Sequence, residues 1–261
     1  MPAWLLPDHI ADVLPAQAEK IEALRRLCLD CARTFGYELI MPPMLEYVDS
    51  LLSGTGRDLD LKTFKLTDQL SGKTMGVRAD ITAQAARIDA HLLNRSGVVR
   101  LCYAGSVLHS QAHGALSSRE LLQFGAEIYG HPGLEAELEV LQLALACLAG
   151  ATPARWVVDL ADARIVRALL AGAQFGDEGR DELLHALTQK DAATVASLVD
   201  AASAGLAPAQ RAGLKALPAL YGDVRVLKEA ERALPDLPAV RNALRDISRV
   251  ARMLPEGAAN I

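Results

Sequence analysis

Gln123 and Glu127 lie four residues apart in the run Leu121–Tyr129. In a β-strand successive side chains alternate between faces, so Gln123, Gly125, Glu127 and Tyr129 share one face and Phe124, Ala126 and Ile128 the other. The apolar face predicts packing on helices. The polar face sets an amide and a carboxylate around a glycine, and a glycine inside a strand often marks close approach by a ligand or another backbone. A solvated face of an antiparallel sheet shows the same alternation. Upstream, Asp80 is placed to cap a helix that carries Thr82 in its first turn.

Other constellations carry less chemistry. Ser106, Ser110, Ser117 and Ser118 crowd one polar loop with His109 and His113, but no carboxylate is placed to orient a histidine as a general base. Cys28 and Cys31 form a CxxC without the second ligand pair that a zinc site needs. With Ile21, Leu24 and Phe35 they fall on one helical face, which reads as core. Cys102 and Cys147 read the same way. There is no Walker loop and no GxGxxG after a strand. The expectation is no metal, no cofactor and no catalytic residue.

The elements that position the polar face follow from periodicity and punctuation. An amphipathic helix is expected over Gln17–Phe35, stopped at Gly36, then a short strand Glu38–Met41 running into Pro42 and Pro43. Leu51–Asp60 is polar and Gly-rich and reads as a loop. Thr63–Asp68 and Thr74–Arg78 read as a hairpin turning at Ser71 and Gly72. A helix over Ile81–Leu93, strands over Val98–Ala104 and Leu121–Tyr129, a helix over Glu135–Leu148 and a strand at Arg155–Leu160 complete an α+β unit. From Asp162 alanine dominates and aromatics nearly vanish. Six helices are expected at Ala163–Ala171, Asp181–Thr188, Ala192–Ala202, Pro208–Ala216, Val224–Ala233 and Ala239–Met253, broken by glycines and prolines, as in a small bundle.

Composition sets the bounds. The 261 residues are 51% hydrophobic and 23% charged, which suits a soluble globular chain with a full core. A net charge of −5 leaves no electrostatic footprint for nucleic acid. No apolar run is long enough to span a bilayer, and the N-terminus lacks the basic start of a signal peptide. A cytoplasmic location with no membrane contact is expected.

The segment Arg100–Gly130 is similar to motif 2 of the class II aminoacyl-tRNA synthetases in their histidyl form. Gln123, Glu127, Tyr129 and Gly130 match that motif's second strand. In that family the Gln holds the α-amino group of histidine and the Glu holds its imidazole, and Gly125 would leave room for the ring. Arg78, Asp80 and Thr82 match an Arg-Pro-Glu-Gly-Thr run whose Glu and Thr also face the amino group, with Asp here shorter by one methylene. The helix, the strand Glu38–Met41, Pro43 and Glu46 resemble motif 1, which builds the family's dimer interface. The motif 2 loop departs from the pattern. The enzymes begin it with Arg-His-Glu-Arg, whose first Arg binds the α-phosphate of ATP; here it reads His109, Ser110, Gln111, Ala112, and only Arg119 remains. Arginine always carries charge and grips phosphate with parallel donors, and a largely neutral histidine does neither.

The resemblance therefore implies a class II synthetase-like antiparallel sheet flanked by helices, with a histidine pocket at Asp80, Thr82, Gln123 and Glu127, joined by Arg119 and Tyr129, and no ATP-activating apparatus. That combination resembles the regulatory-subunit family of ATP phosphoribosyltransferase. It implies a short-form catalytic transferase as partner, a homodimer through the motif 1 region, histidine as ligand and no role for tRNA. It divides the chain into a core at residues 1–161 carrying motifs 1 and 2, a helical insertion at 162–255, and at 256–261 the start of a continuation holding motif 3. The alternatives are a histidyl-tRNA synthetase or a fragment of one, and a free-standing amino-acid-binding module.

Overall fold

The computed structural model describes residues 5–52, 57–112, 114, 117–152, 154, 156–201, 205–254 and 258–261. His113, the start of the Arg155–Leu160 run, residues 53–56 of the expected Leu51–Asp60 loop and the beginning of the expected 256–261 continuation lie outside the described residues. The chain divides into two units, Met1–Pro153 and Ala154–Ile261.

The first unit begins with α1 (Pro15–Thr34), which has Pro15 in its first turn, where a missing N–H costs nothing. It ends where Gly36 takes φ +84°, a conformation that glycine enters without a Cβ clash. β1 (Glu38–Leu39) follows and pairs in parallel with β5 (Val99–Leu108), which pairs antiparallel with β6 (Glu120–Tyr129) over ten residues. The sheet order is β1-β5-β6. β1 is shorter than the expected Glu38–Met41. Ile40 still donates to Cys102 O, and Pro42 then brings a residue without a donor. Phe124, Ala126 and Ile128 pack with Cys102 against Cys28, Cys31 and Phe35 of the α1 segment and Leu143 and Cys147 of α5 (Leu134–Ala151). All four cysteines are free thiols.

A second sheet, order β2-β4-β3, is antiparallel throughout and consists of β2 (Leu45–Tyr47), β3 (Phe64–Thr67) and β4 (Thr74–Val77). The β3–β4 hairpin turns at Gly72, φ +71°, as its turn residues imply. Three features differ from expectation. β2 and the single turn α2 (Val48–Leu51) occupy a stretch for which no element was expected, and Leu51–Asp60 is not all loop, since α3 (Arg57–Lys62) lies partly within it. α4 (Thr82–Ile88) passes into a π-helical stretch at Asp89–Leu93 and stops at Asn94 in the left-handed region. Gln84 of α4 donates to Pro43 O (2.8 Å) and to the Glu46 carboxylate (2.9 Å), and Arg87 also binds Glu46. The Pro43 and Glu46 stretch is thereby fastened to the helix that carries Thr82.

In the second unit β7 (Val158–Asp159) pairs in parallel with β8 (Ala259–Asn260), so the Arg155–Leu160 strand does not join the first unit's sheet. Among the described residues six α-helices follow β7: α6 (Ala163–Leu169), α7 (Asp177–Thr188), α8 (Ala192–Ala201), α9 (Pro208–Ala216), α10 (Val226–Ala233) and α11 (Pro238–Arg252). Their core holds Leu169, Leu183, Val195, Val199, Leu214, Ala243 and Leu244. Leu169 is fully buried, and a Cβ on Gly213 would sit 3.0 Å from its Cδ2. With neighbours that close there is little room to collapse into a cavity. Leu169→Ala should cost about 2–5 kcal/mol of unfolding free energy in urea titration. An unchanged midpoint would show that the bundle repacks around the gap.

Candidate functional site

The β5–β6 ladder sets Gly125 opposite Tyr103 and Gln123 opposite Gly105. Both glycines lie under a large side chain from elsewhere. A Cβ on Gly125 would be 2.3 Å from Tyr103 Cζ, and one on Gly105 would be 2.4 Å from Arg78 Nη2. The space that Gly125 leaves is thus filled by the protein's own aromatic ring, which corrects the expectation of an open slot above it. Tyr103 is 2% exposed and was not singled out from sequence. The signal that identifies it is register: an aromatic directly across a strand from glycine covers the bare backbone.

The Tyr103 hydroxyl joins two of the expected site residues. It donates to Glu127 Oε1 at 3.1 Å and is hydrogen-bonded to Thr82 Oγ1 at 3.1 Å, where either hydroxyl can be the donor. Asp80 and Gln123 form the other end. Asp80 Oδ1 accepts from the Thr82 N–H (2.7 Å) and from Gln123 Nε2 (3.2 Å), while Gln123 Oε1 accepts from the Ile81 N–H (3.0 Å). Asp80 therefore both supports the first turn of α4 and touches Gln123. Beside Asp80 and Thr82 opens a cavity of about 640 Å³, bounded further by Asp49, Arg87 and His91.

Electrostatics distinguish the two ends. Burial raises the Glu127 carboxyl above its ordinary range, against the hydrogen bonds from Tyr103 and Thr82, and the charge of Asp80 adds to the rise. Tyr129 is raised as well, first by burial and then by Glu127. Its hydroxyl is buried and has no hydrogen-bond partner among the described residues. A polar atom left so is costly unless something binds it.

A raised carboxyl means that the folded chain holds more protons than the unfolded one between the ordinary and the raised pKa. Stability must then fall as pH climbs through that window. Glu127→Gln removes the titration and keeps an acceptor for Tyr103. Its melting temperature should gain on the wild type as pH rises from the acid side to neutrality. Melts at stepped pH with a constant offset would contradict this.

The arginines behave differently. Arg78, 7% exposed, donates from Nε to Ser106 O (2.8 Å) and from Nη1 to Pro42 O (2.7 Å), tying β5 to the proline segment. Arg119 makes no hydrogen bond to Asp80, Thr82, Gln123 or Glu127. It lies over the Phe64 ring at 4.7 Å and donates to His109 O (3.1 Å) and Asp8 O (3.5 Å), beside an open cavity of about 350 Å³. His109 Nε2 is 3.1 Å from Ala79 O. Among the described residues no group of three His, Cys, Asp or Glu side chains is arranged to hold a metal, and no helix is long and apolar enough to cross a membrane.

Comparison with known proteins adds the following. The histidyl-tRNA synthetase family model matches residues 9–261. The ATP phosphoribosyltransferase regulatory subunit of Ralstonia nicotianae is 58% identical over 261 residues, which is 100% of this chain and 67% of that protein. A crystal structure of an ATP phosphoribosyltransferase regulatory subunit/histidyl-tRNA synthetase from Bacillus halodurans superposes with a TM-score of 0.84 at 25% identity, over 100% of this chain and 68% of that one. The fold is shared with a chain of the ATP phosphoribosyl transferase (HisG:HisZ) complex from Thermotoga maritima, TM-score 0.65 at 16% identity, over 96% of this chain and 81% of that one. The chain spans about two thirds of the length of the curated relatives it matches.

Proposed function

The chain belongs to the histidyl-tRNA synthetase family, in the branch of ATP phosphoribosyltransferase regulatory subunits, and from that premise we propose that it acts without catalysis of its own. It joins a short-form transferase, completes it for the first step of histidine biosynthesis, and reports histidine to it. The chemistry, joining ATP to phosphoribosyl pyrophosphate, belongs to the partner. The observation that carries this reading is the 58% identity, across the whole chain, to a protein of that role.

The site supports it. Glu127, with the Tyr103 and Thr82 hydroxyls behind it, is an acceptor for an imidazole N–H. The unpartnered Tyr129 hydroxyl is on the same strand face. Asp80 and Gln123 are suited to the α-ammonium. The motif 2 loop offers no arginine but Arg119, whose Nε and Nη1 donate to the backbone carbonyls of His109 and Asp8. A histidine pocket without a phosphate grip suits a sensor, not an adenylating enzyme.

Gel filtration of the chain mixed with a short-form ATP phosphoribosyltransferase tests the reading: co-elution at a higher mass is expected, and separate elution would count against it. The chain alone should be a dimer. Leu39, Met41, Met44, Leu45 and Tyr47 are all exposed along the motif 1-like stretch, a run of apolar surface suited to a two-fold contact. Light scattering at micromolar concentration checks this, and a monomer would contradict it.

A further inference from the structure

The outer face of α11 is a stripe of arginines. Arg241, Arg245, Arg249 and Arg252 recur at intervals of four, four and three residues, and all are exposed. The helix has one acidic residue, Asp246, and it is turned inward: its side chain is 16% exposed and accepts from Arg164 at 2.8 Å. Between α10 and α11 runs a groove of about 790 Å³. Its floor holds buried aliphatic residues, Leu227, Leu234, Val240 and Leu244 among them, and its rim holds the four arginines with Lys228. Glu231 and Asp236 are the acidic lining residues, and Asp236 is bound to Arg241. Arg249 and Arg252 make no ion pair among the described residues.

This basic stripe stands in a chain whose net charge is −5. Like charges four apart on a helix oppose its formation; Asp236 offsets this at Arg241 and Asp246, 3.5 Å away, at Arg245, while Arg249 and Arg252 have no such partner among the described residues. An apolar floor beside one basic wall matches an amphipathic helix laid in a groove. Successive arginines four residues apart rise about 6 Å along the helix, the same repeat at which carboxylates recur on a second helix. Nucleic acid fits less well, because no aromatic residue lines the groove to stack a base.

We propose that the α10–α11 groove seats an amphipathic helix of the transferase, with its acidic side chains on the arginine stripe and its apolar side chains on the floor. The inference rests on the regulatory-subunit reading. It adds the place and the chemistry of the contact.

Calorimetric titration of the short-form transferase into the full chain, at low and at moderate salt, separates the two. For the wild type, binding should weaken as salt rises, because rim charges steer and hold such contacts. Arg245→Glu, Arg249→Glu and Arg252→Glu together should weaken it at least about tenfold and flatten the salt dependence, with the thermal melt unchanged. The same three positions changed to Gln should fall between. Wild-type affinity retained in both triple variants overturns the groove assignment and leaves the regulatory reading standing. A wild type that does not bind overturns both. Two further results also overturn it: wild-type binding of an RNA duplex that the Glu triple loses, and wild-type self-association that the Glu triple loses.

Discussion

Glu127→Ala should weaken histidine binding at least about 20-fold. The reason is the environment of the carboxylate. Glu127 sits against the hydroxyl of a buried tyrosine, its carboxyl is raised by burial, and it accepts from Tyr103 at 3.1 Å. Replacing it leaves two donors without an acceptor, the ligand's imidazole N–H and the Tyr103 hydroxyl. Truncating one side of a buried hydrogen-bonded charge pair costs about 2–5 kcal/mol, and the lower figure is roughly 30-fold, above the stated bound. Glu127→Gln should lose less, since the amide oxygen still accepts. Calorimetric titration of histidine measures both. If Glu127→Ala binds as the wild type does, this residue is not in the pocket.

Histidine-dependent exchange of pyrophosphate into ATP should be absent. Activation of an amino acid needs a preorganised cation on the α-phosphate. Leu108 and His109 stand where the synthetases hold that arginine, and His109 Nε2 is 3.1 Å from Ala79 O. Losing one such charge stabiliser costs ~10²–10³ in rate. Exchange above background by the purified chain would turn the reading toward a synthetase.

The sequence was most legible where local chemistry decides. The second strand of the β5–β6 hairpin follows from alternation and the first from β-branched and apolar content, although β5 runs on to Leu108, past the expected Ala104, and takes in Ser106, expected in a loop. The bundle helices follow from alanine-rich runs between glycines and prolines, with Pro208 and Pro238 at first-turn positions. The expected site residues Asp80, Thr82, Gln123 and Glu127 are linked in one hydrogen-bonded cluster through Tyr103 and the Asp80–Gln123 contact. Less legible were features set by a partner distant in sequence. β2 is three residues long and gains its ladder only from β4. α3 is six residues long, too short to show a helical period. Tyr103 over Gly125 and Arg78 over Gly105 depend on register and on side-chain reach, which composition and spacing do not encode. Arg119 matches a motif position, yet its contacts run to His109, Asp8 and Phe64 instead of to the cluster.

The most direct test of the account is the rate of a short-form ATP phosphoribosyltransferase assayed alone, with this chain, and with this chain plus histidine. The account predicts a rate that rises on adding the chain and falls again on adding histidine, with the fall blunted in Glu127→Ala. A rate that the chain leaves unchanged would contradict it.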